Sequence, residues 1–238
     1  MIITKTIQYN DVENTYEGYM SWDSEIPTKK PGILIAPTFK GQSDFENKKA
    51  EELAKMGYVG FAIDLYGKGI RAGTPEEAQQ LMDTLNNNRP LLLQRMQLAL
   101  STLQNHEQVD ANRLGAIGFC FGGKCVLDLA RSGAAIKGTV TFHGVYDKPD
   151  ILYHAPISSS ILVLHGWEDP LANPDQTVAL AKELTERGAD WQLHAFGHTG
   201  HAFTNPNAKF PEKGMFYQEQ SNYRAWKLMS DFLEEKFV

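Results

Sequence analysis

The chain has 238 residues, 42% of them hydrophobic, with a formal net charge of −6. This balance suits a globular protein with a sizeable core, and the lack of a basic cluster argues against nucleic acid or an anionic membrane surface as partner. Two cysteines, Cys120 and Cys125, lie too close together in one turn-and-helix segment for a structural disulfide, which points to a reducing compartment, expected to be the cytoplasm.

Residues 2–9 and 15–22 alternate apolar and polar side chains around an Asn10-Asp11 turn signal, so they read as an antiparallel hairpin at a sheet edge. Met1–Asn10 alternates apolar and polar residues without the apolar core expected of a secretory signal, and nowhere does an apolar run approach the ~18 residues of a membrane span. From Gly32 the pattern changes. Residues 32–36, 59–64, 114–119, 138–142, 161–164 and 191–195 are short, mostly apolar runs of the kind expected for strands covered on both faces.

Amphipathic helices separate these runs. Ser43 and Glu46 form a capping box ahead of Ala50, Leu53 and Ala54, and Gly57 stops that helix. Thr74-Pro75-Glu76-Glu77 starts a second, and Leu92, Met96, Ala99 and Leu103 keep helical spacing in a third. Cys125, Val126 and Leu129 mark the helix that Gly133 ends, Asn173-Pro174 caps one carrying Leu180, Ala181 and Leu184, and Ala225, Leu228, Met229 and Phe232 stripe the last. Alternation of this kind predicts an α/β fold with a mostly parallel central sheet of about eight strands flanked by helices, its ligands bound at the carboxyl ends of the strands. We expect one domain over residues 1–238.

Three loops at that end carry reactive side chains. The first, Gly118-Phe119-Cys120-Phe121-Gly122, joins a strand to a helix as a nucleophile elbow does, with cysteine in place of serine. Such a turn exposes the thiol beside the N–H of Phe121 and the positive end of a helix dipole, which favours thiolate. The second, His165-Gly166-Trp167-Glu168-Asp169-Pro170, offers two carboxylates, and the third, from Gly197 to Phe203, offers His198 and His201. Nucleophile, acid and histidine therefore follow the chain order of serine hydrolases built on strand-to-helix elbows, not that of chymotrypsin or subtilisin. His198 and His201 find no third ligand at metal-site spacing, so no metal is expected.

These segments, with residues 57–67 (GYVGFAIDLYG) and His201-Ala202-Phe203, resemble the dienelactone hydrolase family, a cysteine branch of the α/β-hydrolase fold, over nearly the whole chain. The resemblance implies a Cys120, Asp169 and His201 triad, oxyanion donors on the N–H of Phe121 and of Thr38 (or else Phe39), and hydrolysis of a small ester or lactone without cofactor. Two family features are missing. No glutamate stands in residues 35–41, and Asn205 occupies the place of a substrate-binding arginine four residues after the histidine. Phe39, Lys40, His143 and Phe203 are candidate substrate-binding residues, and Lys40, Lys68 and Arg71 are candidate substitutes for the arginine. The expected partner is a small-molecule substrate, and the protein a monomer or small homo-oligomer.

Two competing readings stay open. Residues 67–73 nearly form a dinucleotide fingerprint, with the third glycine one residue late. A non-catalytic relative using Cys120 as a redox sensor or ligand-binding group is the other.

Overall fold

Residues 2–23 fold as a hairpin, with β1 (Ile2–Asn10) and β2 (Thr15–Asp23) antiparallel and Tyr9 opposite Tyr16. The computed structural model describes every residue except 152, 154, 155 and 238. It forms two compact units, Met1–Ile117 and Gly118–Val238.

In the first unit, β3 (Lys30–Ala36) is buried along its whole length and runs parallel to β4 (Val59–Ala62), which in turn pairs antiparallel with β2. Between β3 and β4 lies α1 (Asp44–Lys55), started by the Ser43–Glu46 capping box and burying Ala50, Leu53 and Ala54. Helices α2 (Pro75–Asn86) and α3 (Arg89–Gln104) start at Thr74 and Asn88 caps, each with proline in the first turn, where its missing N–H costs nothing. β5 (Val109–Phe119) starts five residues earlier than residues 114–119 suggest, because its first half is mostly polar, only partly buried and shows no apolar run.

The second unit opens with α4 (Phe121–Arg131), all eleven residues of which are buried. A helix sunk this deep carries charge only where it is matched. Arg131 pairs with Asp128 at 3.1 Å and with Glu183 at 2.8 Å, and Lys124 pairs with Asp147 at 2.8 Å. Beyond α4 come β6 (Gly138–Phe142), β7 (Ser160–Gly166), α5 (Pro174–Glu186), β8 (Trp191–Phe196), a two-residue hairpin of β9 (Lys209–Phe210) and β10 (Met215–Phe216), and α6 (Glu219–Phe237). β6, β7 and β8 are mutually parallel neighbours. Leu127, Ala130, Ile161, Val163, Leu180 and Leu184 pack together beneath them.

The main sheet has eight strands in the order β1-β2-β4-β3-β5-β6-β7-β8, as an α/β fold with an N-terminal antiparallel hairpin requires. One expectation fails at its end. β8 has no fully buried residue, because as the last strand it lacks a neighbour on one side. No helix among the described residues is long and apolar enough to cross a membrane.

Candidate active site

β5 feeds directly into the turn that holds Cys120. The Cys120 N–H donates to the Phe142 carbonyl at the end of β6 (3.1 Å), but its backbone has left the strand with φ 56° and ψ −117°, a region L-residues rarely occupy. Gly118 is needed for this geometry, since a Cβ there would collide with the Gly122 carbonyl. The thiol is partly exposed. Phe121 is the first residue of α4, so its N–H is among the amides with no intrahelical acceptor, at the positive end of the helix.

Asp169 sits three residues past β7, its N–H tied to the Gly166 carbonyl at 3.1 Å. Its Oδ1 accepts from the Leu171 N–H at 2.8 Å, which leaves Oδ2 for Nδ1 of His201 at 2.7 Å. Both side chains are buried. The acid and histidine loops are joined through their backbones as well, the Glu168 N–H donating to the Thr199 carbonyl at 3.0 Å.

His201 is held by an element with no sequence signal, the β9–β10 hairpin. Its N–H donates to the Gly214 carbonyl at 2.7 Å, and its own carbonyl accepts from the Phe216 N–H at 3.1 Å. Burial alone would push the His201 pKa down. The charge of Cys120 and the hydrogen bond with Asp169 outweigh that and hold it up at about 10.

The alternatives beside these residues stand apart. His198 is almost fully exposed and meets a half-exposed Glu168 at 3.2 Å. Arg71 is committed within the first unit to Asp64, Gln42 and the Ile70 carbonyl, and Lys68 pairs with Glu17 at 3.3 Å. Lys40 points to solvent, and the Phe39 carbonyl accepts from the Tyr66 hydroxyl at 2.7 Å. Phe203 and His143 are buried and stacked edge to face at 5.1 Å, so they build the wall of the histidine loop instead of presenting surface to a ligand. No group of three His, Cys, Asp or Glu side chains placed to hold a metal occurs among the described residues.

The Thr38 amide, expected to face an oxyanion, donates to Oε1 of Glu46 at 3.1 Å. The cause is the capping box of α1, which folds Glu46 back over the loop after β3, where its carboxyl also takes the Ser43 N–H and hydroxyl at 2.9 and 2.6 Å. Burial pushes the Glu46 carboxyl pKa up, although these donors oppose it.

The model of the dienelactone hydrolase family matches residues 17–237. The chain belongs to the dienelactone hydrolase family. A solved structure described as m3DLH is 35% identical, with a TM-score of 0.95, and the match covers 100% of this chain and 99% of that one. A dienelactone hydrolase-like promiscuous phosphotriesterase, P91, from metagenomic libraries is 31% identical, with a TM-score of 0.94 and the same coverage. Among curated relatives, a probable 2-oxo-3-(5-oxofuran-2-ylidene)propanoate lactonase of a Bradyrhizobium species is 27% identical over 75% of each chain. Like the family as a whole, the chain is an ester or lactone hydrolase of the dienelactone hydrolase type.

Proposed function

We propose that this dienelactone hydrolase family member cleaves a small ester or lactone through a thioester on Cys120, with His201 as proton carrier and Asp169 as its orienting acid. The observation that carries the reading is the buried 2.7 Å contact between His201 Nδ1 and Asp169 Oδ2, together with the upward push that Cys120 gives the same imidazole. The carboxylate fixes the tautomer and leaves Nε2 for the sulfur.

The Cys120 thiolate attacks the carbonyl carbon, and the electron pair of the C=O bond moves onto oxygen, where the Phe121 N–H donates to it. As the tetrahedral intermediate collapses, the bond to the leaving oxygen breaks and Nε2 of His201 hands that oxygen its proton. His201 is then neutral. It takes a proton from water as the hydroxide adds to the thioester, and collapse of the second intermediate expels the Cys120 thiolate and restores the resting pair. One preorganised donor to the oxyanion is worth about 3 kcal/mol. No cofactor enters any of these steps. A catalytic thiol of this type is suited to a reducing compartment such as the cytoplasm.

Turnover of a panel of p-nitrophenyl esters and simple lactones, run beside a p-nitrophenyl phosphotriester because of the P91 likeness, tests the reading. Saturable turnover of carboxylic esters that disappears in Cys120→Ala is the result expected. Stoichiometric labelling of Cys120 without turnover of any member would overturn it in favour of a thiol sensor.

A further inference from the structure

His143 follows the last residue of β6, and its N–H prolongs the ladder by donating to the Leu164 carbonyl at 2.9 Å. Three features there are unusual for a packing residue. Its backbone is left-handed, with φ 38°, which few residues other than glycine adopt. Its side chain is buried at 1% exposure with Nδ1 lacking any hydrogen-bond partner. And its ring lies edge to face against His201, with centroids 4.9 Å apart and planes at 67°. A phenylalanine or leucine would fill the same volume without burying an unpaired nitrogen, so filling space does not account for a histidine here.

What the imidazole adds is a second grip on the loop. Its Nε2 is hydrogen-bonded to the hydroxyl of Thr204 at 2.8 Å, three residues beyond His201 and itself buried. Asp169 fixes one ring nitrogen of His201 and the hairpin fixes its backbone, which leaves tilting of the ring about the Nδ1–Oδ2 axis for the His143 ring to limit. We propose that His143 is a positioning residue for His201, its ring and its bond to Thr204 together holding the His201 imidazole in the rotamer that addresses Cys120. This rests on the hydrolytic reading above.

Burial lowers the pKa of His143 well below the usual histidine value, and the positive His201 beside it lowers it further. An uncharged ring is what this position tolerates, since a second cation at 4.9 Å would repel the first.

The test compares His143→Ala, His143→Phe and Thr204→Val with wild type and Cys120→Ala, using p-nitrophenyl acetate turnover and the pH dependence of Cys120 alkylation by iodoacetamide. His143→Ala should lower kcat roughly tenfold to a hundredfold, with KM within about threefold, because a misplaced base costs rate and not ground-state binding. Its alkylation inflection should move up toward a free thiol, as the imidazole leaves the sulfur. His143→Phe, which restores a ring, should recover part of kcat, and Thr204→Val should lose about threefold. Should His143→Ala fail to fold, the ring-keeping and bond-only variants decide alone. If neither changes kcat or the inflection, the inference is overturned, as it is if a folded His143→Ala behaves like wild type. Those results beside an inactive Cys120→Ala defeat the inference alone, whereas an active Cys120→Ala defeats the hydrolytic reading with it.

Discussion

Gly214 accepts the backbone N–H of His201 at 2.7 Å, so the imidazole hangs from a two-residue hairpin and not from the core strand that precedes it. Gly200 makes this possible. A Cβ on Gly200 would run into the Gly214 carbonyl, a backbone atom that cannot swing aside. We expect Gly200→Ala to destabilise the protein by about 1–3 kcal/mol, as forced overpacking does, and to reduce kcat more than KM. Thermal melts and ester kinetics on the purified variant check this, and wild-type values for both would show that the hairpin does not govern His201.

The two thiols should separate cleanly. Cys125 is completely buried in α4, whereas Cys120 is partly exposed at its start. Iodoacetamide should therefore modify Cys120 first, Cys120→Ala should abolish ester turnover, and Cys125→Ala should keep most of it. Peptide mapping by mass spectrometry reads the order of labelling, and equal rates at the two sites would contradict the assignment.

Two adjacent acids and two nearby histidines offer a paired comparison. We expect His201→Ala and Asp169→Asn each to lose on the order of 10³-fold or more in kcat, as loss of a triad member does. His198→Ala and Glu168→Gln should stay near wild type, because that pair is solvent-facing and contributes little. The opposite ranking in steady-state kinetics would mean that the wrong histidine was chosen.

A pH signature follows from the same imidazole. The His201 pKa is raised from the ordinary 6.5 to about 10, so the folded state holds a proton that the unfolded chain releases. Its contribution to stability is then complete below about pH 6.5 and disappears as pH climbs through 10. Because the unfolded chain keeps one proton on the free Cys120 thiol up to about pH 8.5, the melting temperature of wild type should fall relative to His201→Gln mainly between about pH 8.5 and 10. Parallel curves from pH 6 to 10 would remove the basis for a resting ion pair. Alkylation of Cys120 should likewise show an inflection clearly below the free-thiol value of about 8.5, and lose that shift in His201→Ala.

Much of this architecture is legible in the amino-acid sequence. The parallel strands announce themselves because residues buried on both faces must be apolar without interruption, and the caps at Ser43, Thr74 and Asn173 form as read because each side chain finds its amide locally. Loop and chain order narrow the acid to Glu168 or Asp169 and the histidine to His198 or His201, the family resemblance selects Asp169 and His201, and those two side chains meet at 2.7 Å. What stays hidden depends on contacts far apart in sequence. The β9–β10 hairpin has strands of two residues, too short for any period, and is defined by what it does for His201. Glu46 looks like an ordinary capping glutamate, and only the folded loop reveals that it is buried and holds the Thr38 amide. The left-handed backbones of His143, His198 and Ala202 carry no glycine to mark them.

The φ of 56° at Cys120 has a thermodynamic consequence of its own. A side chain held in so sparsely populated a conformation costs on the order of 1–3 kcal/mol, and here that cost falls on the residue proposed to form the covalent bond to substrate. Glycine would adopt the same angles without penalty. Cys120→Gly should therefore yield an inert protein that melts at a higher temperature than the active one, provided relief of strain exceeds the added backbone entropy of the unfolded chain. The elbow would then be a site where stability and activity are in direct opposition, and where selection for thermal robustness alone would erase the chemistry.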